Sequence, residues 1–260
     1  MSDSEKTNGV EDFGSSVCYV VSFGGGVNST ALLIELANRN EPPDVILFAD
    51  TGGEKPETYM HIEAMQGWLL SHGMPAIEIC SEKKTLEADC LDRGTLPGKA
   101  FGFGSCSEHF KVRPQRRHLK SKGIKNPMWL VGIHAGEAQR ALRMHNQRSD
   151  VSFPLIQWGW GQKECEQCIL DAGLQIPVKS ACFYCPSMRK PEIIQLSKQN
   201  PELFERAVEM EDNAKECGTL KTVKGLGRSY SWDALVKSDN EQLKLFDDFQ
   251  DPICDTCIDW

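Results

Sequence analysis

Three groups of residues in this chain have types and spacings that could do chemistry. The first is thiol. Of eleven cysteines, six fall in Cys-x-x-Cys pairs, Cys165/Cys168, Cys182/Cys185 and Cys254/Cys257. That spacing lets two thiolates from one turn grip a soft metal ion or cluster. The pairs ending at Cys168 and starting at Cys182 are separated by thirteen residues, acceptable for a structural four-cysteine zinc site, while the Cys182-x-x-Cys185-Pro186 ending also suits a [4Fe–4S] cluster. The second group is Gly24-Gly25-Gly26, between an apolar run and Val27-Asn28-Ser29-Thr30. Glycines bring backbone close to a ligand, and the unpaired N–H groups of a helix start attract phosphate. It is neither a Walker loop, for want of a lysine, nor the Gly-x-Gly-x-x-Gly dinucleotide pattern. The third is charge. Asp50-Thr51-Gly52 places a carboxylate in a turn, Lys111 to Lys125 holds seven Lys/Arg and no acid, and Glu137 and Arg140 share a face at i, i+3.

These residues need elements to hold them. Val17–Phe23 reads as a buried strand running into the glycine turn, and Val27 to Asn38 as an amphipathic helix broken by Glu41-Pro42-Pro43. Asp44 to Asp50 is apolar through its middle, as a strand covered on both faces should be. Pro56 opens a helix continuing to Ser71, Ala76 to Cys80 forms a third strand and Met128 to Ile133 a fourth. Alternating strands and helices imply an α/β fold with a doubly wound parallel sheet, whose ligands collect beyond the carboxyl ends of the strands. Ser81 to Ser105 shows no periodicity and several breakers, and reads as an insertion or lid. Gln162 to Ala172 reads as a helix stopped by Gly173, and Pro191 to Lys215 as two packing helices.

At 260 residues the chain can hold one α/β domain and an appended module. We expect a disordered tail over 1–16, a domain over 17–230 with a helical cysteine-cluster module at about 100–190, and an acidic tail over 231–260. A net charge of −8 argues against a protein that coats nucleic acid generally, though a local patch can be basic. No stretch of eighteen apolar residues exists to span a membrane, and Met1–Ser16 lacks the apolar centre of a signal peptide. The expected location is the cytoplasm, where thiols stay reduced and a disulfide framework is disfavoured.

The glycine loop resembles the PP-loop of the adenine-nucleotide α-hydrolase-like superfamily, Ser-Gly-Gly-x-Asp-Ser, with Gly24 for the first Ser, Asn28 for the Asp and Ser29 closing it. The motif's carboxylate is absent at Asn28. Asp50-Thr51-Gly52-x-Glu54-x-Pro56-Glu57-Thr58 resembles the turn bordering the adenosine pocket in the phosphoadenosine phosphosulfate (PAPS) reductase-like branch, and Gly132 with Glu137-x-x-Arg140 resembles a further family segment. Cys106 before a Lys-containing helix, Cys165 after Pro154-Leu-x-x-Trp158, and Cys182-x-x-Cys185 are similar to phage-encoded and DNA-phosphorothioation-type members. The resemblance implies that Ser22, Gly24, Gly25, Gly26, Asn28, Ser29, Thr30, Asp50, Thr51, Gly52 and Gly132 bind ATP (or PAPS) with Mg2+. It implies that Lys111, Arg140 and Glu137 act in catalysis, and that Cys106, Cys165, Cys182 and Cys185 hold a [4Fe–4S] cluster, with zinc as the alternative. Cys168 is then spare, and Cys90 could replace one ligand.

The first functional expectation is an ATP pyrophosphatase that adenylates an acceptor and couples this to iron–sulfur-dependent sulfur transfer. The second is a thiol-dependent PAPS reductase. Glu216-Cys217-Gly218 resembles part of that family's Glu-Cys-Gly-x-His tail, but Thr219 and Leu220 follow and the His is missing. The third, of another class, is a nucleotide-binding partner protein with structural zinc. An adenine nucleotide is the expected partner. A nucleic-acid substrate and a sulfur-donor protein are open alternatives, as is the oligomeric state.

Overall fold

Alternate residues of the central strands belong to opposite cores, and that alternation organises the molecule. The computed structural model describes residues 17–248. Its strands are β1 (Cys18–Phe23), β2 (Val45–Asp50), β3 (Ile77–Ser81), β4 (Pro127–Leu130) and β5 (Val151–Ser152), joined in one parallel sheet of order β3-β2-β1-β4-β5. Val21, Phe23, Ile46, Phe48 and Leu130 face one core; Val20, Val45, Leu47, Trp129 and Val151 face the other. The first is covered by α1 (Val27–Asn38), α2 (Pro56–Ser71), α7 (Pro154–Gln157) and α8 (Gln162–Asp171). The second is covered by α5 (Arg113–Ser121) and α6 (Ala138–Gln147), through Leu119 and Met144.

A further apolar cluster lies beside the sheet. It gathers α3 (Leu86–Asp92), the π-helical turn Glu108–Val112 that follows α4 (Ser105–Ser107), the Cys182–Met188 segment, α9 (Lys190–Gln199), α10 (Pro201–Glu216) and the start of α11 (Trp232–Asp248). The strands and most helices stand where the periodicity places them. Three expectations are corrected. Within the expected lid, Thr85 caps α3 by accepting a hydrogen bond from the Ala88 N–H. The acidic tail does not begin at 231, because Trp232 is fully buried and α11 packs on α9 and α10. Nor is 100–190 one module, since α8 covers the sheet while Cys182–Met188 belongs to the lateral cluster. The expected tail over 1–16 and the Cys254/Cys257 pair lie outside the described residues.

Glu211 of α10 ties the last loop down. Its carboxylate accepts hydrogen bonds from the Leu226 N–H (2.6 Å) and the Trp232 N–H (2.9 Å). Burial pushes its pKa up to about 7 against the pull of those bonds. A carboxyl with a raised pKa holds its proton better in the folded chain. Its stability contribution is therefore full below the ordinary 4.5 and is lost as pH rises through about 7. Thermal melts across that window should show Tm falling with pH. Glu211→Gln should remove the slope; an unchanged slope would contradict this assignment.

Candidate active site

At its carboxyl edge the sheet reverses winding direction between β1 and β4, the crevice where such folds bind ligands. After β1 the chain turns through Gly24–Gly26 into α1. Gly25 takes φ +71°, and a Cβ there would meet Thr58 Cγ2 at 3.1 Å. Ser29 braces the turn: its Oγ accepts from the Gly24 N–H (3.2 Å) and donates to the Gly26 carbonyl (3.1 Å). No side chain caps the N-terminus of α1, and its first turn has no acid. The positive end of that helix therefore remains for an anion. From β4, Gly132 closes against the same turn, where its added Cβ would stand 2.8 Å from both N and Cα of Ser29.

The neighbouring polar groups are ordered around this turn. Asn28 Nδ2 donates to Glu137 Oε2 (3.1 Å), and Arg140 donates to Glu137 Oε1 (2.9 Å). A carboxylate thus reaches the loop from the β4 side, where the loop's own position 28 is an amide. Asp50 Oδ1 accepts from the Gly52 N–H and from the Tyr59 hydroxyl, each at 2.8 Å. The Ser22 hydroxyl accepts from Gln115 Nε2 (3.0 Å). Thr30, expected at the nucleotide, is instead fully buried, with its hydroxyl 2.8 Å from His61 Nε2. Burial lowers the His61 pKa, so this is a contact with a neutral ring.

One segment straps these loops together. The Ser180 hydroxyl donates to the Gly24 carbonyl, the Phe183 N–H donates to the Gly53 carbonyl (2.7 Å), and Cys182 bridges Glu54 in antiparallel pairing. Cys182 Sγ lies 3.1 Å from the Thr51 hydroxyl. Tyr184 packs so closely that a Cβ on Gly53 would sit 2.4 Å from its hydroxyl oxygen. Lys111, expected to face phosphates, donates to Glu54 Oε1 (3.1 Å), and the Glu54 side chain is wholly buried. Burial works against the ammonium, but the Glu54 carboxylate outweighs it and the Lys111 pKa ends above its ordinary value. The charge of Lys111 is committed to this pair.

The four cysteines expected to share a cluster are divided. Cys182 is in the lateral cluster, with Cys106 and Cys185 packed against it, and buried Cys90 joins them there. Cys165 is fully buried in the α1–α8 core, beside Cys168, whose thiol reaches towards the Ala31 carbonyl. Burial raises Cys182 and Cys90 to about 12, so these are protonated thiols at neutral pH. Among the described residues no three His, Cys, Asp or Glu side chains are grouped as a metal site. The expected set therefore does not fit one [4Fe–4S] or zinc centre here. Cys165→Ala should act as a packing change, costing about 1–2 kcal/mol of stability by denaturant melts. Loss of nucleotide binding with stability intact would contradict that role.

Sequence reasoning left Glu54, His61 and Ser180 without roles, and named Cys90 only as a substitute ligand. The signal for Glu54 was its place in the Asp50–Thr58 motif; Ser180 was visible only as the polar residue ahead of Cys182. A groove of roughly 860 Å3 lies elsewhere, between α1, α2 and α8, and is lined by Trp68, Trp160, Lys163 and Cys168. None of the glycine-turn residues lines it.

The profile of the phosphoadenosine phosphosulfate reductase domain matches residues 18–176, well over half of the chain. The chain belongs to the PAPS reductase domain family. The match ends before Ser180, so the cysteine strap lies beyond it. An uncharacterized protein of Methanocaldococcus jannaschii is 23% identical over 203 residues, covering 72% of this chain and 40% of that protein. The chain thus spans less than half the length of that relative. A crystal structure of PAPS reductase from Candida auris in complex with phosphate superposes with a TM-score of 0.42 at 16% identity, covering 61% of this chain and 74% of that one. Family membership makes this a PAPS reductase-like chain of a nucleotide-binding, sulfur-related enzyme family. Among the described residues no helix is long and apolar enough to cross a membrane.

Proposed function

We propose that this chain binds ATP with Mg2+ at the glycine turn and cleaves it between the α- and β-phosphates, adenylating an acceptor for sulfur transfer. The observation that carries this reading is the uncapped, acid-free N-terminus of α1, open at the winding reversal between β1 and β4. Its backbone N–H groups would hold the leaving pyrophosphate, stabilising charge that grows as the bond breaks. The Asp50–Gly52 turn would border the adenosine. Glu137, anchored by Arg140 and bonded to Asn28, would fix the loop and offer a carboxylate to the nucleotide's Mg2+. An acceptor oxygen attacks the α-phosphorus, pyrophosphate leaves, and sulfur at the sulfide level then displaces AMP, forming a C–S bond as the C–O bond breaks. The expected iron–sulfur carrier is not part of this proposal, because its cysteines are divided between two cores.

The test is product analysis with ATP·Mg2+. With water serving as acceptor where no other is present, AMP and pyrophosphate in equal amounts support the reading; ADP and phosphate, or ATP bound but unchanged, overturn it. Cys217 separates this reading from a reductive one. It is exposed at the end of α10, against Gly94 of the α3 end, and has no hydrogen-bonded contact with the glycine turn. Cys217→Ser should leave pyrophosphate release intact, whereas a reductase built on that thiol would lose its activity.

A further inference from the structure

The helices over the second face of the sheet are rich in positive charge and free of acids. From Ser105 to Arg148 there are ten Lys/Arg and two Glu, in a chain of net charge −8. Neither α5 nor α6 contains an acid, and both pack on the same core, through Leu119 and Met144, so they lie on one side of the sheet. Part of this charge is neutralised at home: Arg117 pairs with Glu82, Lys122 with Glu78, Arg148 with Asp150, and Arg116 with Glu108 at 4.0 Å. Arg113, Lys120, Lys125 and Arg143 are exposed and have no carboxylate within 4.0 Å among the described residues. On α5 the stripe Arg113, Arg116, Lys120 follows i, i+3, i+7, and on α6 Arg140 and Arg143 follow i, i+3, so each helix presents a row rather than a scatter.

We infer that this face binds the sugar–phosphate backbone of a nucleic acid. Rows of guanidinium and ammonium groups match an evenly charged polymer, and guanidinium takes phosphate bidentately. A membrane surface fits less well, because the only large apolar side chain exposed on these two helices is Leu142. The face is also continuous with the nucleotide site: Arg140 holds Glu137, which bonds Asn28 in the glycine turn. A strand lying along α5 and α6 would thus reach the α-phosphate of bound ATP. This deepens the proposed function by naming the acceptor class, and it rests on that reading for its catalytic meaning but not for the binding itself.

The experiment is fluorescence anisotropy of the full chain with labelled single-stranded DNA, single-stranded RNA and duplex, without ATP and over a salt series. Binding should weaken on a log–log salt plot with a slope of about −0.7 per phosphate contact for single strands. The variant Arg113→Glu/Lys120→Glu/Arg143→Glu should bind at least about tenfold more weakly, with the salt slope reduced by about two to three contacts, while its binding of ATP stays unchanged. Salt-insensitive binding or none, wild-type affinity in the variant, or capture by phosphatidylserine vesicles in preference to nucleic acid would each overturn the inference. Because ATP products are read separately, failure here leaves the adenylation reading standing, and the reverse holds too.

Discussion

Gly132→Ala is expected to weaken nucleotide binding on the order of 100-fold while leaving the sheet folded. A methyl group at this position would sit 2.8 Å from two backbone atoms of Ser29 and 2.9 Å from the carbonyl carbon of Asn28. Backbone cannot swing aside as the end of a long side chain can. Either the glycine turn moves or β4 does, and β4 is pinned between β1 and β5. Overpacking of this kind costs about 1–3 kcal/mol, and the turn is where the chain can yield. A displacement of about 1 Å there misaligns every N–H aimed at phosphate, with losses on the order of 100-fold. Titration with ATP should show that loss, and circular dichroism should show native helix content. Wild-type affinity in Gly132→Ala would mean that the turn between β1 and β4 does not hold the nucleotide.

Lys111→Met carries the second large effect. It leaves the wholly buried Glu54 carboxylate, whose Oε2 already has no partner, without its cation. Breaking a buried pair costs about 3–5 kcal/mol; because Lys111 is partly in water, we expect about 2–4 kcal/mol, a fall in Tm of roughly 5–15 °C for a chain of this size. The damage should be local first, since Glu54 pairs with Cys182 and Cys182 carries the strap. The double variant Lys111→Met/Glu54→Gln removes both charges and should recover most of the lost stability. Additive losses in the double variant would show that the two side chains do not act as a pair.

How far the sequence led depended on whether its signals were local. The first strand, the glycine turn and α1 were legible because apolar strand, glycines and helix follow one another in the chain. Thr30 was misplaced because polarity beside a phosphate loop looks like a ligand contact, and only the fold shows its hydroxyl turned to His61. Cys165 was grouped with Cys182 by the family resemblance, and by spacing in the zinc alternative, yet α8 turns it into the sheet-covering core, while Cys90, in a stretch without periodicity, arrives beside Cys106 and Cys182. Glu54 and Lys111 are fifty-seven positions apart, so their pairing is a property of tertiary structure alone. The acidic composition after 231 obscured the apolar face of Trp232, Leu235 and Val236 that seats α11.

The central claim is that the glycine turn, the Asp50 turn and the Gly132–Arg140 segment form one adenine-nucleotide site. Photocrosslinking with an azido-adenosine triphosphate, followed by peptide mapping, tests it most directly. Label within residues 22–30, 50–59 or 132–140, displaced by unlabelled ATP, is the predicted result. Displaceable label confined to the groove between α1, α2 and α8, on peptides carrying Trp68 or Trp160, would contradict it.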